Sequence, residues 1–279
     1  MASASPAAAP PALPLPKMTA IFRRDMRVAL SYPGNFALTW ASIVVEVIVA
    51  WYISQLIPPS PKFGVGGVAA SYFQYLAINF AFVRFQTAAL NSFAEAIRDG
   101  QLTGTLEVVL ATPTTMPVLV LSSGVWSFAL TGLQTLVYLL IATLFGLDLR
   151  HVDAVTAIVF LVLTVAAVSP LGVLAAALSM VIKKTGPVEY ISTASAQLFG
   201  GVFLPLSAMP WALQLVGWCL PITHALTGFR AAAAGASLAS VRGDAIWLLV
   251  ASIILMPVSL LLFAAAVRKA RVDGTLAMY

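Results

Sequence analysis

Charge is scarce in this chain. Only 9% of its 279 residues are Asp, Glu, Lys or Arg, and 61% are hydrophobic, whereas a soluble domain carries about 25% charged residues. So few charges cannot cover a water-facing surface, which excludes a soluble globular protein. Cysteine occurs once, at Cys219, excluding an internal disulfide and any cysteine metal cluster. The two histidines, His151 and His224, stand too far apart to suggest a metal site by spacing. No G-x-x-x-x-G-K-[ST] run is present: Lys183-Lys184-Thr185-Gly186 lacks the glycine loop that cradles phosphates. A G-x-S-x-G elbow and an H-E-x-x-H pair are missing too. His224 reads as a capping or interfacial residue, and the pattern offers no enzyme active site. The net charge of +5 is better explained by membrane topology than by nucleic-acid binding.

What is abundant is apolar length. A helix crossing the hydrocarbon core needs about 20 mainly apolar residues. Six segments qualify, at roughly 36–57, 70–94, 117–146, 153–182, 188–209 and 244–267. Pro170 and Pro257 inside the fourth and sixth predict kinks, tolerated where neighbouring helices satisfy the freed carbonyl. With a cytoplasmic N-terminus, the inner side holds Lys17, Arg23, Arg24, Arg27, Arg98, Lys183, Lys184, Arg268, Lys269 and Arg271. The outer side holds only Lys62, Arg150, Arg230 and Arg242. That bias puts both termini in the cytoplasm.

Two amphipathic stretches lie on the inner side. Residues 17–31 carry an apolar stripe of Met18, Ile21, Phe22, Met26, Ala29 and Leu30 opposite Lys17, Arg24 and Arg27. That pattern predicts a basic interfacial helix drawn to anionic membrane lipid. Between Glu95 and Pro113, Leu102, Leu106, Val109 and Leu110 fall at i, i+4, i+7 and i+8, one stripe of a helix. Gln101, Thr105, Glu107 and Thr112 point largely elsewhere, toward water or a second protein, and Thr112-Pro113 ends the element. Residues 1–16 are rich in Ala and Pro, without a basic segment and apolar core, which predicts a disordered leader rather than a signal peptide. Residues 272–279 form a cytoplasmic tail.

Two features interrupt the apolar spans. Glu46 and Arg84 each sit about ten residues from a cytoplasmic helix end, so roughly 15 Å deep. An unpaired charge there would cost at least about 2.5 kcal/mol, which predicts a Glu46–Arg84 pair on adjacent helices. Residues 199–224 remain apolar, yet Gly200, Gly201, Pro205, Pro210 and Pro221 break helical continuity. Irregular backbone at membrane depth must be buried in protein or line a cavity. The expected arrangement is a fifth span rising to about 204, then short re-entrant helices near 207–219 and 222–235, with Trp211 and Trp218 in the interfacial belt. A plain extracellular loop with an interfacial helix is the alternative.

These residues resemble a known family. Glu95, Arg98, Gly104-Thr105-Leu106-Glu107 and Thr112-Pro113 are similar to the coupling segment of ABC type-2 exporter permeases, although Arg98 stands farther from Gly104 than in that pattern. Gly201-Val202-Phe203-Leu204-Pro205-Leu206 with Met209-Pro210 is similar to the family signature late in the fifth span. Trp218 through Pro221, Thr223-His224-Ala225 and Phe229-Arg230 continue the likeness, which covers residues 17–271. It implies an all-α integral membrane fold. Six transmembrane helices would carry the N-terminal interfacial helix, a cytoplasmic coupling helix over 98–112 and re-entrant helices between the fifth and sixth spans.

The resemblance also implies a division of labour. Two permease subunits, here expected as a homodimer, would work with two copies of a cytoplasmic ATPase that holds the ATP and Mg; this chain would bind no cofactor itself. Arg98, Thr105, Leu106, Glu107, Thr112 and Pro113 would form the ATPase-coupling element. Trp40, Tyr52, Phe80, Phe199 and Phe203 would line the route between subunits, with Arg230 in the outer cap. The implied function is export of an amphipathic drug-like or lipid-type substrate across the cell inner (plasma) membrane, with polysaccharide or lipid-linked glycan export as the alternative. A carrier independent of any ATPase is a remote third reading, since inverted repeats are not evident. No nucleic-acid partner is expected.

Overall fold

A computed structural model of the chain describes residues 19, 23, 26, 27, 31, 33–60, 63, 71–102, 116–182 and 186–272. These form eight α-helices, with no β-strand among the described residues. In chain order they are α1 Pro33–Ser54, α2 Tyr72–Leu102, α3 Met116–Leu144, α4 Ala154–Ile182, α5 Gly186–Phe199, α6 Trp211–Trp218, α7 Pro221–Ala233 and α8 Arg242–Val272. Short 3-10 turns at Leu206–Ala208 and Leu238–Val241 precede α6 and α8.

Four stretches are long and apolar enough to cross a bilayer: Ala37–Ser54, Trp126–Leu144, Ala154–Leu178 and Leu238–Lys269. The second expected span, α2, has the length, 31 residues; its Gln, Asn and Arg side chains lower its hydropathy. The fifth, α5, has only 14 residues, about 21 Å at 1.5 Å per residue. Along α1, α3 and α8 the outward faces are Leu, Ile and Val (Val45, Leu140, Ile253 and Leu261 among them). Such a surface is stable against lipid and not against water.

Position in the bundle runs opposite to polarity. No residue of α2 between 72 and 92 is exposed, although it is the most polar long helix. Along its N-terminal half α2 packs with α1 and α3 around Ile43, Val47, Tyr75, Leu76, Tyr138 and Ala142. A second core joins α2, α4, α5, α7 and α8 through Phe82, Phe160, Ala167, Ala196, Leu226 and Leu248. α4 packs most extensively, against α8 and α2. Its Ala167, Gly172, Ala175, Ala176 and Ala177 are buried, and small residues allow helix axes to approach closely. α7 meets α4 at Gly228, where an added Cβ would fall 1.9 Å from the Phe160 ring, so only hydrogen fits.

The expected boundaries shift at two places. α2 continues without a break through residues 95–98 to Leu102, so the first residues of the expected coupling helix belong to α2. The fifth helix does not reach 204 or 209; it ends at Phe199. Gly201 there has φ +78°, a conformation an L side chain rarely adopts, and Gly200 lies so close to the Ala196 carbonyl that a Cβ would sit 2.4 Å away. Pro170 and Pro257 lie inside α4 and α8. Pro210 is the residue before α6, and Pro221 opens α7, positions where a missing N–H costs nothing. Thr105, Leu106, Glu107, Thr112, Pro113, Lys183, Lys184, the leader 1–16 and most of the expected 17–31 helix lie outside the described residues.

Candidate functional site

The site begins with one ion pair. Arg84 on α2 donates through Nη2 to Oε2 of Glu46 on α1, and its guanidinium lies 5.2 Å from the centre of the Tyr138 ring on α3. The pair and the ring therefore join three helices at one level. A charge deep in an apolar bundle is tolerated only with such partners.

Beside the pair opens a cavity of about 600 Å³. α2 contributes Phe80, Val83, Thr87, Ala88 and Asn91, and α3 contributes Ser127, Leu130, Thr131 and Gln134. Gln197 of α5, with Val202 and Phe203 beyond it, closes the far wall. Apart from the pair, its polar groups are neutral hydroxyls and amides. Phe80 and Phe203 meet edge to face in its wall, ring centres 5.7 Å apart. A smaller and almost wholly apolar cavity, about 300 Å³, lies on the other side of α5 between Gln86, Leu171, Ile191, Ser195, Leu220 and Ile222.

The irregular stretch after α5 is held by α2. Tyr72 Oη donates to the Phe203 carbonyl at 2.9 Å, and Tyr75 Oη donates to the Gly201 carbonyl. Asn79 Nδ2 donates to the Val202 carbonyl at 2.8 Å. Backbone carbonyls that no helix satisfies thus find donors at i, i+3 and i+7 of α2, one helical face. Arg230 of α7 lies over the Tyr75 ring at 5.1 Å and donates from Nε to the Leu226 carbonyl. Farther along, His224 ties α7 to α8: its Nδ1 is 2.7 Å from Asp244 Oδ1, and its Nε2 is 2.9 Å from the Trp218 carbonyl oxygen. The imidazole stacks on Trp247, 4.2 Å between ring centres.

Of the residues singled out by sequence, the cavity gathers Glu46, Arg84, Phe80 and Phe203. Trp40 is half-buried and packs against the core between α1 and α2. Tyr52 is 65% exposed near the C-terminal end of α1, against Trp51. Phe199, the last residue of α5, is half-buried outside the cavity wall. Gly200, Gly201 and Pro205 form the irregular stretch, and Pro210, Pro221 and Arg230 belong to the two short helices that follow it. Arg98 lies in the last turns of α2. Sequence reasoning passed over Tyr72, Tyr75, Asn79, Asn91, Gln134 and Gln197. The i, i+3, i+7 spacing of Tyr72, Tyr75 and Asn79 was a readable signal; the convergence of Asn91, Gln134 and Gln197 from three helices was not.

No curated protein matches the chain. A family description does: residues 18–233 match the membrane domain of the ABC-2 type transporter. That match spans both the ion pair and the α2-held stretch, and the chain belongs to the ABC-2 type transporter family as a multi-pass membrane permease.

Proposed function

We propose that this chain is the permease subunit of an ATP-binding-cassette exporter, moving an amphipathic drug-like or lipid-type substrate out of the cytoplasm or inner leaflet. The observation that carries the reading is the open cavity beside Glu46 and Arg84, where polar and apolar side chains mix in a bundle whose outer faces are apolar. In this reading α2 and α5 count as the second and fifth of six spans, and α6 and α7 are the re-entrant pair that closes the path outside. Both termini are cytoplasmic. A second copy of the permease completes the chamber, and two cytoplasmic ATPase subunits, which hold ATP and Mg, dock on the segment containing Thr105, Leu106, Glu107, Thr112 and Pro113, with Arg98 nearby.

The lining supports one other cargo. Thr87, Asn91, Ser127, Thr131, Gln134 and Gln197 offer neutral donors and acceptors beside an aromatic pair, chemistry suited to a hydroxyl-rich head such as a lipid-linked glycan. Drug and glycan transport are separated by loading proteoliposomes with each class and measuring ATP-dependent movement.

The central test is reconstitution. With its ATPase the chain is expected to transport only when ATP is hydrolysed, and alone it is expected to be inert; solute movement by the chain alone would return the carrier reading. Glu107→Arg should keep ATP hydrolysis while transport falls, and full transport by that variant would remove Glu107 from the docking surface.

A further inference from the structure

Gly201, Val202 and Phe203 present three consecutive carbonyls from backbone that follows no helix. α2 supplies a donor to each. Tyr72 bonds Phe203 and Tyr75 bonds Gly201, while Asn79 bonds Val202 and reaches the Gly201 carbonyl at 3.3 Å. All three belong to one face of one helix.

The same helix extends far in the other direction. α2 runs 31 residues to Leu102, roughly 46 Å at 1.5 Å per residue. No proline interrupts it, so it has no built-in kink of that kind. Its last turns contain Arg98, where the segment resembling the ATPase-docking element begins. One continuous helix therefore carries the inner surface at one end and grips the outer part of the path at the other.

What it grips is buried at Gly201 and Val202 and opens to space at Phe203. Val202 and Phe203 border the larger cavity, and α5, which leads into them, has the smaller cavity on its opposite side. Leu204, just beyond, is half exposed. The stretch borders open space on the side of the larger cavity, and the side-chain donors that hold its carbonyls come from α2.

We infer that α2 is the rod that transmits motion from the inner surface to the outer closure, and that Tyr72, Tyr75 and Asn79 are positioning residues that make the 201–203 backbone follow it. The inference rests on the exporter reading above. A purely structural clamp would affect folding alone; a transmitting clamp also sets how much outer movement each ATP cycle produces.

The test uses the full chain assembled with its ATPase in lipid nanodiscs. An environment-sensitive fluorophore is placed at Leu204→Cys in a Cys219→Ser background, and its signal is followed on trapping with ATP and vanadate. The intact clamp is expected to give a clear signal change. In Tyr75→Phe and Asn79→Leu the change should be lost and transport per ATP should fall about tenfold, within the range of ordinary coupling energies, while ATP turnover stays within about twofold. Tyr72→Phe, which keeps its ring packing and loses one O–H, carries the same readout should Asn79→Leu fail to accumulate. A signal change that persists in folded variants overturns the inference and leaves the exporter reading standing. Loss of signal only in proportion to lost folded protein overturns it as well. No ATP-dependent signal change with the clamp intact overturns the inference; absence of ATP-dependent transport by the same assembly overturns the exporter reading, and the inference with it.

Discussion

α2 and α8 are each 31 residues long, and beyond the first turn of α8, where Asp244 pairs with His224 of α7, they use polar atoms in opposite ways. On α8 the hydroxyls turn inward on their own helix: Ser252 donates to the Leu249 carbonyl at 2.8 Å and Ser259 to the Met256 carbonyl at 2.9 Å. Bonds of this kind satisfy a hydroxyl without involving any neighbour. Both serines are buried, and the exposed face of α8 carries Ile246, Leu249, Ile253, Ile254, Leu261 and Leu262. On α2 the polar groups reach across to other elements: Arg84 to Glu46 on α1, and Tyr72, Tyr75 and Asn79 to the backbone after α5. One helix holds the bundle in lipid, and the other holds the parts of the bundle to one another. Polar residues in a membrane protein are therefore informative by where their bonds end rather than by how many there are.

The comparison breaks most easily at the ion pair. Arg84→Leu leaves the Glu46 carboxylate without its partner, and an unpaired charge inside a bundle costs about 2.5–3.5 kcal/mol. The expected result is a large drop in thermal midpoint in detergent, with little protein reaching the membrane. Glu46→Gln combined with Arg84→Gln should restore most of that stability. Export that also survives in the double variant would confine the pair to joining helices; lost export in a stable double variant would give it a part in the path.

Asn79→Leu is the next largest. It leaves the Val202 carbonyl without its side-chain donor, a loss of about 1–3 kcal/mol, visible as a lower midpoint by intrinsic fluorescence. Ser259→Ala on α8 removes an equally buried hydroxyl whose bond ends on its own helix, and the expected cost is below about 1 kcal/mol. Equal shifts for the two variants would erase the distinction between α2 and α8. Smallest of all is Leu261→Ala on the exposed face of α8, expected within about 0.5 kcal/mol; a larger shift would mean that another protein surface, rather than lipid, covers this face.

Much of the helical plan was legible beforehand, because a run of apolar residues long enough to cross lipid has few ways to satisfy its backbone other than by helix formation. The ends were harder. Helix α5 stops at Phe199 because Gly201 takes a positive φ, and from sequence that glycine was equally compatible with a helix running on to 204. At the C-terminal end of α2 the amphipathic stripe through Leu102 and Leu106 suggests a separate element, but nothing at 95–98 stops a helix, and α2 continues to Leu102. Among the aromatics, Phe80 and Phe203 meet in the cavity wall, whereas Tyr52 is exposed. Aromatic character alone does not tell a route from a lipid face.

Composition and spacing alone determined that this chain lives in a membrane, that its long helices are apolar, and that Glu46 and Arg84 needed partners, since each follows from the cost of placing polar groups in hydrocarbon. Tertiary structure alone decided that Asn91, Gln134 and Gln197 share one chamber and that Tyr72, Tyr75 and Asn79 bind the carbonyls of residues 201–203. Those neighbours lie more than a hundred positions apart in the chain for each of the three bonds to the 201–203 backbone, and only helix packing brings them within reach.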